Sequence, residues 1–358
     1  MTTEPRLTLA LVGDVMLGGR ALEALRRMGI AAMARLIWAP LEGADVVVAN
    51  LEAPITQESQ VREEKRYNLK TTREVLDLFD RRFVLGLANN HILDYGERGL
   101  LDTIEALDEF GIPHAGAGRN LDEARRPAFV HVRGVSLGVL TAADVRFQAA
   151  SERSAGVFPA RAELLRESIR DLCRKADEVV VSIHAGIEFV PVPSPTQLQL
   201  ADMCLEEGVR VVSFHHTHCT SGFKQTEKGL VFFGTGNYVF PNNLGAHFAG
   251  WNRSAAWKIE LPASPQEAPR VFVEPAVLNQ DGLPEQVSGF EAQSILQRIQ
   301  RDSDRLSAGE SLRLWRLSEM AKPEYLRLNA IHYVDIARRH GPLRMLQTLW
   351  RGVKAQLR

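Results

Sequence analysis

Three histidines fall within four consecutive positions of VVSFHHTHCTSGF, residues 211–223: His215, His216 and His218. The apolar residues before them, Val211, Val212 and Phe214, read as a buried strand. Alternate residues of an extended chain point the same way, so His216 and His218 can reach one point while His215 faces away. Neutral imidazole is the commonest metal ligand, yet a lone histidine near a core is more often a packed, hydrogen-bonded one. The inference therefore rests on what the other strands deliver. Asp14 closes the first strand in LVGDVML, and Glu52 follows the second in VVVANLEAP. Asn89, Asn90 and His91 end the third in LANNH, and His184 ends VVVSIH. Five strand ends thus carry a hard oxygen or an imidazole, and open α/β sheets bind ligands at the carboxyl ends of their strands.

The candidate ligands are Asp14, Glu52, Asn90, His184, His216 and His218. Carboxylates, an amide oxygen and imidazoles without thiolate suit Mn²⁺, Fe²⁺ or Zn²⁺, whereas Ca²⁺ takes more oxygens. Six ligands exceed what one catalytic ion with an open position uses, and they match two divalent ions sharing a carboxylate. Such a centre is net positive, binds anions and lowers the pKa of water. His91 is the candidate proton donor to a leaving atom. Asp94, three residues on, is placed to orient its ring or, more simply, to serve as a helix cap. Arg20, His215, Asn237 and Glu188 are candidates for the substrate side. Asn237, in GTGNYVF, can instead brace the histidine loop, and Glu188 can be a plain surface acid. Arg119 lies in GAGRN, which reads as a turn rather than a phosphate loop. Cys219 reads as a small packed residue.

These residues need strands to hold them. Leu7–Gly13, Asp45–Asn50, Phe83–Ala88, Ala128–Val132, Val135–Thr141, Glu178–Ile183, Val209–Phe214 and Leu230–Gly234 have strand character. Gly99–Phe110, Arg161–Ala176 and Gln197–Glu207 show helical spacing. The alternation predicts an α/β core with sheets buried on both faces, followed by a hairpin of Ala255–Leu261 and Arg270–Val277. A boundary is expected at residues 280–289, dividing a domain of residues 1–285 from a helical appendage of 286–358. Within the appendage, residues 342–358 (PLRMLQTLWRGVKAQLR) read as a basic amphipathic helix. It can lie on a membrane surface or, more simply, dock on the core.

The 358 residues are 45% hydrophobic and 24% charged, as in an ordinary globular chain. A net charge of −1 gives no field that favours nucleic acid. Three scattered cysteines suggest a reducing compartment without a disulfide framework. The first apolar run, Leu7 to Val12, is too short for a signal peptide or a span. The expectation is a cytoplasmic protein.

GDVML, NLEAP, LANNHILDYGERGLLDTIEAL, GAG, HAGIE, HHTH and GTGNYVF, in this order over residues 5–245, resemble the CapA family. That family is associated with capsule and poly-γ-glutamate synthesis and is itself similar to calcineurin-like metallophosphoesterases. The resemblance implies a four-layer α/β/β/α sandwich with metals at the strand ends. It implies Asp14 on a first metal, Glu52 bridging, Asn90 as a ligand and His184 as the lone second-metal histidine, with His216 and His218 as the Gly-His-x-His pair and His215 in the glycine's place. His91 is placed beside the leaving group. Two departures stand out: Met16 occupies the place of a ligand histidine, and Ala185 the place of a tryptophan in His-Trp-Gly. CapA-like chains also often begin with a membrane anchor, where this one begins with a core strand.

The function expected is metal-dependent hydrolysis or transfer on a small or polymeric anionic substrate, either a phosphoester or a γ-glutamyl amide. The alternatives are a non-catalytic metal-binding scaffold of a polymer-synthesis complex, and an amide-bond-forming enzyme of a small-molecule pathway.

Overall fold

Sixteen strands and eight α-helices follow one another in a computed structural model that describes residues 6–61, 65, 67–144, 148–241, 250–264, 267–320 and 342. The strands are β1 Leu7–Val15, β2 Val46–Leu51, β3 Phe83–Gly86, β4 His114–Ala115, β5 Ala117–Gly118, β6 Ala128–Val132, β7 Val135–Ala143 and β8 Gly156–Val157. They continue as β9 Glu178–His184, β10 Val211–His215, β11 Phe223–Gln225, β12 Leu230–Phe232, β13 Asn237–Val239, β14 Arg253–Leu261, β15 Arg270–Leu278 and β16 Pro284–Gln286. The helices are α1 Gly19–Met28, α2 Ile30–Trp38, α3 Gly96–Phe110, α4 Leu121–Ala124, α5 Ala162–Cys173, α6 Pro195–Glu206, α7 Gly289–Ser307 and α8 Ser311–Met320.

One large sheet runs β16-β15-β14-β1-β2-β3-β4, with β13 beside β1; a second large sheet runs β11-β12-β10-β9-β7-β6, and β5 pairs with β8 in a small third one. Both large sheets have a parallel centre, β1-β2-β3-β4 in the first and β7-β9-β10-β12 in the second. Parallel strands buried on both faces must be apolar on both, and the sequence obeys. Leu9, Leu11, Val46 and Val48 of the first sheet meet Val139, Val180, Val211 and Phe232 of the second in one cluster. On the far side of the first sheet, Val47, Ala49 and Leu51 pack with Leu25, Ile37 and Leu100 of α1, α2 and α3. On the far side of the second, Val181, Ile183 and Phe214 pack with Ile169 of α5 and Leu200 of α6.

The expected long strands and hairpin are present. The short β4, β5, β8 and β13 carry too few residues for a periodic signal. The expected boundary region contains β16, which pairs with β15. Beyond it, α7 is not set apart from the core: Ile295 and Ile299 enter the cluster between the sheets, and Leu306 enters the cluster under the second sheet. Among the described residues no helix is long and apolar enough to cross a membrane. The basic stretch 342–358 lies, apart from Pro342, outside the described residues.

Candidate metal centre

Side-chain parity explains which residues meet. In β2, Val46 and Val48 face the second sheet, so Asn50 and then Glu52 continue that face. In β9 and β10, Val180 and Val211 face the first sheet, and by the same alternation Ser182 with His184, and Ser213 with His215, follow. In β1 simple alternation would send Asp14 towards the helices along with Ala10 and Val12. The pairing register shifts between Leu11 and Asp14, and again between Asp14 and Val15. Val12 and Val15 consequently both pack under the helices, and the bulge turns Asp14 inward. At this point β13 crosses close by. A Cβ on Gly13 would stand 1.8 Å from the Gly236 carbonyl oxygen, so the missing side chain is what lets Asn237 pair with Asp14.

A hydrogen-bond lattice holds the oxygen donors. Asn89 Nδ2 donates to Asn50 Oδ1 at 3.1 Å, and Asn50 Nδ2 donates to Asp14 Oδ1 at 2.8 Å. His218 Nδ1 donates to Asn237 Oδ1 at 2.8 Å, and His91 Nδ1 donates to Asp94 Oδ2 at 2.7 Å. Both rings are thereby fixed with Nε2 towards Glu52. Glu52 Oε1 is the hub: it lies 3.8 Å from His184 Nε2 and 3.9 Å from both His91 Nε2 and His218 Nε2. It is buried and accepts no hydrogen bond, as are Asp14 Oδ2 and His216 Nδ1. Asp14 Oδ2 is 3.1 Å from His218 Nδ1, but that N–H is turned to Asn237. Orphaned buried polar atoms are expensive, and three sit together here. Ligands reach an ion at about 2.0–2.2 Å, which sets two ligands of one ion roughly 3–4 Å apart. The hub gaps fall in that range, and Asp14, Glu52 and His184 each offer a donor within 4.8 Å of the others. His184 Nε2 and Asn90 Oδ1 stand 2.8 Å apart. The donors present therefore fit a divalent ion.

Electrostatics agrees with that fit. Burial pushes His184 and His216 down, towards the neutral form that ligates. Burial and the neighbouring Asp14 push the Glu52 carboxyl well above its usual range. Asp14 goes the other way: burial opposes ionisation, but the close His218 ring, with the charges of His215 and His184, holds it well below normal. Burial disfavours the charged form of His218, yet Glu52 and Asp14 outweigh it and raise its pKa to about 10. Without an ion, these shifts favour a cationic His218 and a neutral, protonated Glu52. Burial lowers His91, against Asp94 and helped by Lys65, so its Nε2 is unprotonated at rest.

The histidine run departs from its expected geometry. β10 ends at His215, and His216 and His218 have φ of 86° and 54°, left-handed values that side-chain-bearing residues rarely adopt. Alternation would have aimed His216 at the helices, and its positive φ turns it back, 4.7 Å from the His184 ring. His215 does not face away: its Nδ1 is 3.6 Å from Asp14 Oδ1. Its ring nitrogens meet the hydroxyls of Ser182 at 2.7 Å and Thr235 at 2.9 Å. No ring nitrogen is left for a substrate, which corrects the expectation for His215. Asn237 is likewise committed to His218. Arg20 donates to the Pro241 carbonyl at 3.4 Å, and Arg119 pairs with Glu123. Glu188 has its charge felt at Glu52, His91, His216 and His218. Asp94 is no cap: besides His91 it accepts from Leu69 N at 2.7 Å and Lys65 Nζ at 2.5 Å. Met16 packs with Ala53, Phe240 and Leu278, and its sulfur accepts from Gly18 N. Cys219 is buried. Asn50, Ser182 and Thr235 went unrecognised in the sequence; Asn50 was legible, because Val46, Val48, Asn50 and Glu52 share one parity.

Fold and site together define a two-sheet α/β protein with a candidate divalent-metal centre at the strand ends. The chain belongs to the family described as bacterial capsule synthesis protein PGA_cap, whose model matches residues 8–242. It is 31% identical to the capsule biosynthesis protein CapA of Bacillus anthracis, over 70% of this chain and 62% of that one. It is 30% identical to the PGA biosynthesis protein CapA of Bacillus subtilis (strain 168), over 69% and 65%. The chain thus spans somewhat less than two thirds of the length of these relatives. Among solved structures, a 5′-nucleotidase from Candida albicans overlies 86% of this chain and 59% of its own, at 11% identity and a TM-score of 0.47. A putative 5′-nucleotidase from Staphylococcus aureus overlies 82% and 58%, at 15% and 0.44. Superpositions this loose carry no functional inference.

Proposed function

We propose that the protein is a metal-dependent hydrolase or transferase acting on an anionic substrate, a phosphoester or a γ-glutamyl amide, in poly-γ-glutamate or related biosynthesis. The reading rests above all on His91. Its ring is oriented by the buried Asp94 and turns Nε2 to Glu52 Oε1, the orphaned hub of the donor set. A site built only to bind an ion has no need of a second, carboxylate-oriented imidazole at that distance. Glu52, Asn90, His184 and His216 would hold one ion, and Asp14, Glu52 and His218 a second; Mn²⁺, Zn²⁺ or Fe²⁺ suits these donors. When bound, the ions supply positive charge for the anionic group and make water more acidic. His91 Nε2, unprotonated at rest, takes a proton from the attacking water and returns it to the leaving atom. Asp94 keeps Nδ1 protonated and the ring in place throughout.

A scaffold role is the second reading. It is favoured by Met16, whose sulfur is tied to Gly18 N and leaves the Asp14 side a donor short. A Mycobacterium tuberculosis relative, 30% identical over 57% of this chain, is named a probable polyglutamine synthesis accessory protein. The amide-forming alternative shares the same centre and differs in the direction of the reaction. The deciding experiment supplies the full chain with Mn²⁺ or Zn²⁺ and assays a generic phosphodiester beside a γ-glutamyl oligomer. Metal-dependent turnover of either supports an enzyme and names the bond. Stoichiometric metal with no turnover of either gives the scaffold reading.

A further inference from the structure

Two loop segments leave the metal centre side by side. Phe189 N donates to the Thr217 carbonyl at 2.8 Å, and Ser221 Oγ donates to the Pro191 carbonyl at 2.7 Å. They end at a cavity of about 190 Å³ whose other walls are α7 and α8. Ser221, on its rim, is three residues beyond His218, a reach of at most about 11 Å of chain.

The cavity is unequally charged. Arg298, Arg301 and Arg305 line it, and Asp302 is the acid among its lining residues. Spacings of three and four put the arginines on one helix face. Asp302 is shared among all three at 3.8, 4.0 and 3.9 Å, the outer limit of an ion pair. One carboxylate cannot fill three guanidinium forks. Consistently, burial raises the Asp302 carboxyl despite the three arginines beside it. Guanidinium groups left so loosely engaged are suited to bidentate binding of a carboxylate or phosphate.

We propose that this cavity is a second anion subsite, in which Arg298, Arg301 and Arg305 hold a carboxylate of a γ-glutamyl chain whose reacting end lies at the metal centre. The identity of the chain rests on the function proposed above; the arginine subsite does not. A polymer with one carboxylate per residue offers a second anion within the distance between centre and cavity. A single small acid cannot occupy both.

The test measures binding to the full chain of a γ-linked glutamate hexamer and, separately, of inorganic tripolyphosphate. Three proteins are compared: the parent, R301Q/R305Q, and a control, R170Q/R174Q, whose arginines pair with Glu207 and Asp171 on another surface. Arg301 and Arg305 are 59% and 46% exposed, so glutamine there leaves the fold intact, and thermal melts check it. The expected result is a loss of about 10–30-fold for both probes in R301Q/R305Q, since two exposed charge pairs contribute up to about 1 kcal/mol each, with little change in the control. Equal hexamer affinity in parent and R301Q/R305Q overturns the subsite and leaves the function standing, and an equal loss in the control overturns it as unspecific charge. Arginine-dependent binding of tripolyphosphate without hexamer binding keeps the subsite and removes the glutamyl reading. Failure of both probes to bind overturns both.

Discussion

The two sheets equip their shared edge in different ways. The first delivers oxygens, from Asp14, Glu52 and Asn90, on strand ends tied by the ladder of Asn89, Asn50 and Asp14. The second delivers nitrogens, from His184, His216 and His218, and two of these sit on left-handed backbone. Strain of this kind costs about 1–3 kcal/mol per residue and persists where the surroundings over-determine it. Here they do: Gln197 caps α6 with Ser194 and also donates to the Ala185 carbonyl, while Asn237 grips His218. The oxygen side is made rigid by side-chain hydrogen bonds. The nitrogen side is held from its loops, by Gln197 at the Ala185 carbonyl and Asn237 at the His218 ring.

The largest test removes the point where the sides meet. Glu52→Gln is nearly isosteric with the protonated Glu52 of the ion-free protein, so the fold should survive. Ion affinity should fall by more than the roughly 10–100-fold that follows loss of an outer partner, and activity should vanish with it. Metal analysis beside circular dichroism reads both; retained stoichiometric metal would break the picture of Glu52 as the hub. Next in size, His91→Ala should keep its metal and lose about 10²–10⁴ in kcat. Loss of metal instead would move His91 into the ligand set.

A smaller effect probes the nitrogen side alone. Asn237→Ala frees the His218 ring and should weaken ion binding about 10–100-fold, with a shallower loss in any variant of the oxygen ladder. If Asn50→Ala proves the more damaging, the contrast between the two sides is reversed. The smallest signal is a proton count. His218, raised to about 10, and Glu52, raised by burial and Asp14, hold protons that an ion must displace. Metal uptake at pH 7 should therefore release protons, and affinity should rise with pH until His218 has lost its proton near pH 10. Calorimetry in buffers of different ionisation enthalpy measures this, and uptake with no release would contradict it.

Most of the sheet framework was legible because buried parallel strands write continuous apolar runs, and because the ends of those runs were chemically unusual. Side-chain direction was legible only where strands stay regular. Val46, Val48, Asn50 and Glu52 form one readable face. Asp14 depends on a bulge, and His216 on a positive φ, and neither leaves a mark in residue types. His215 was assigned the wrong direction because its side was inferred from His216 and His218, which lie beyond the end of β10; alternation from Val211 within the strand turns it inward. Ser182 and Thr235 were hidden because a small hydroxyl residue in an apolar run reads as filler until its partner is known.

The central position of β1 has a consequence for synthesis. Its partners are β2 on one side and, on the other, β13 and β14. At about 5–20 residues per second, the roughly 240 residues between β1 and β14 take some 10–50 s to leave the ribosome. For that interval β1 presents an open, apolar edge of the sort that invites wrong pairing. The candidate metal ligand Asp14 thus sits on a strand that must wait for its later neighbours while they are translated.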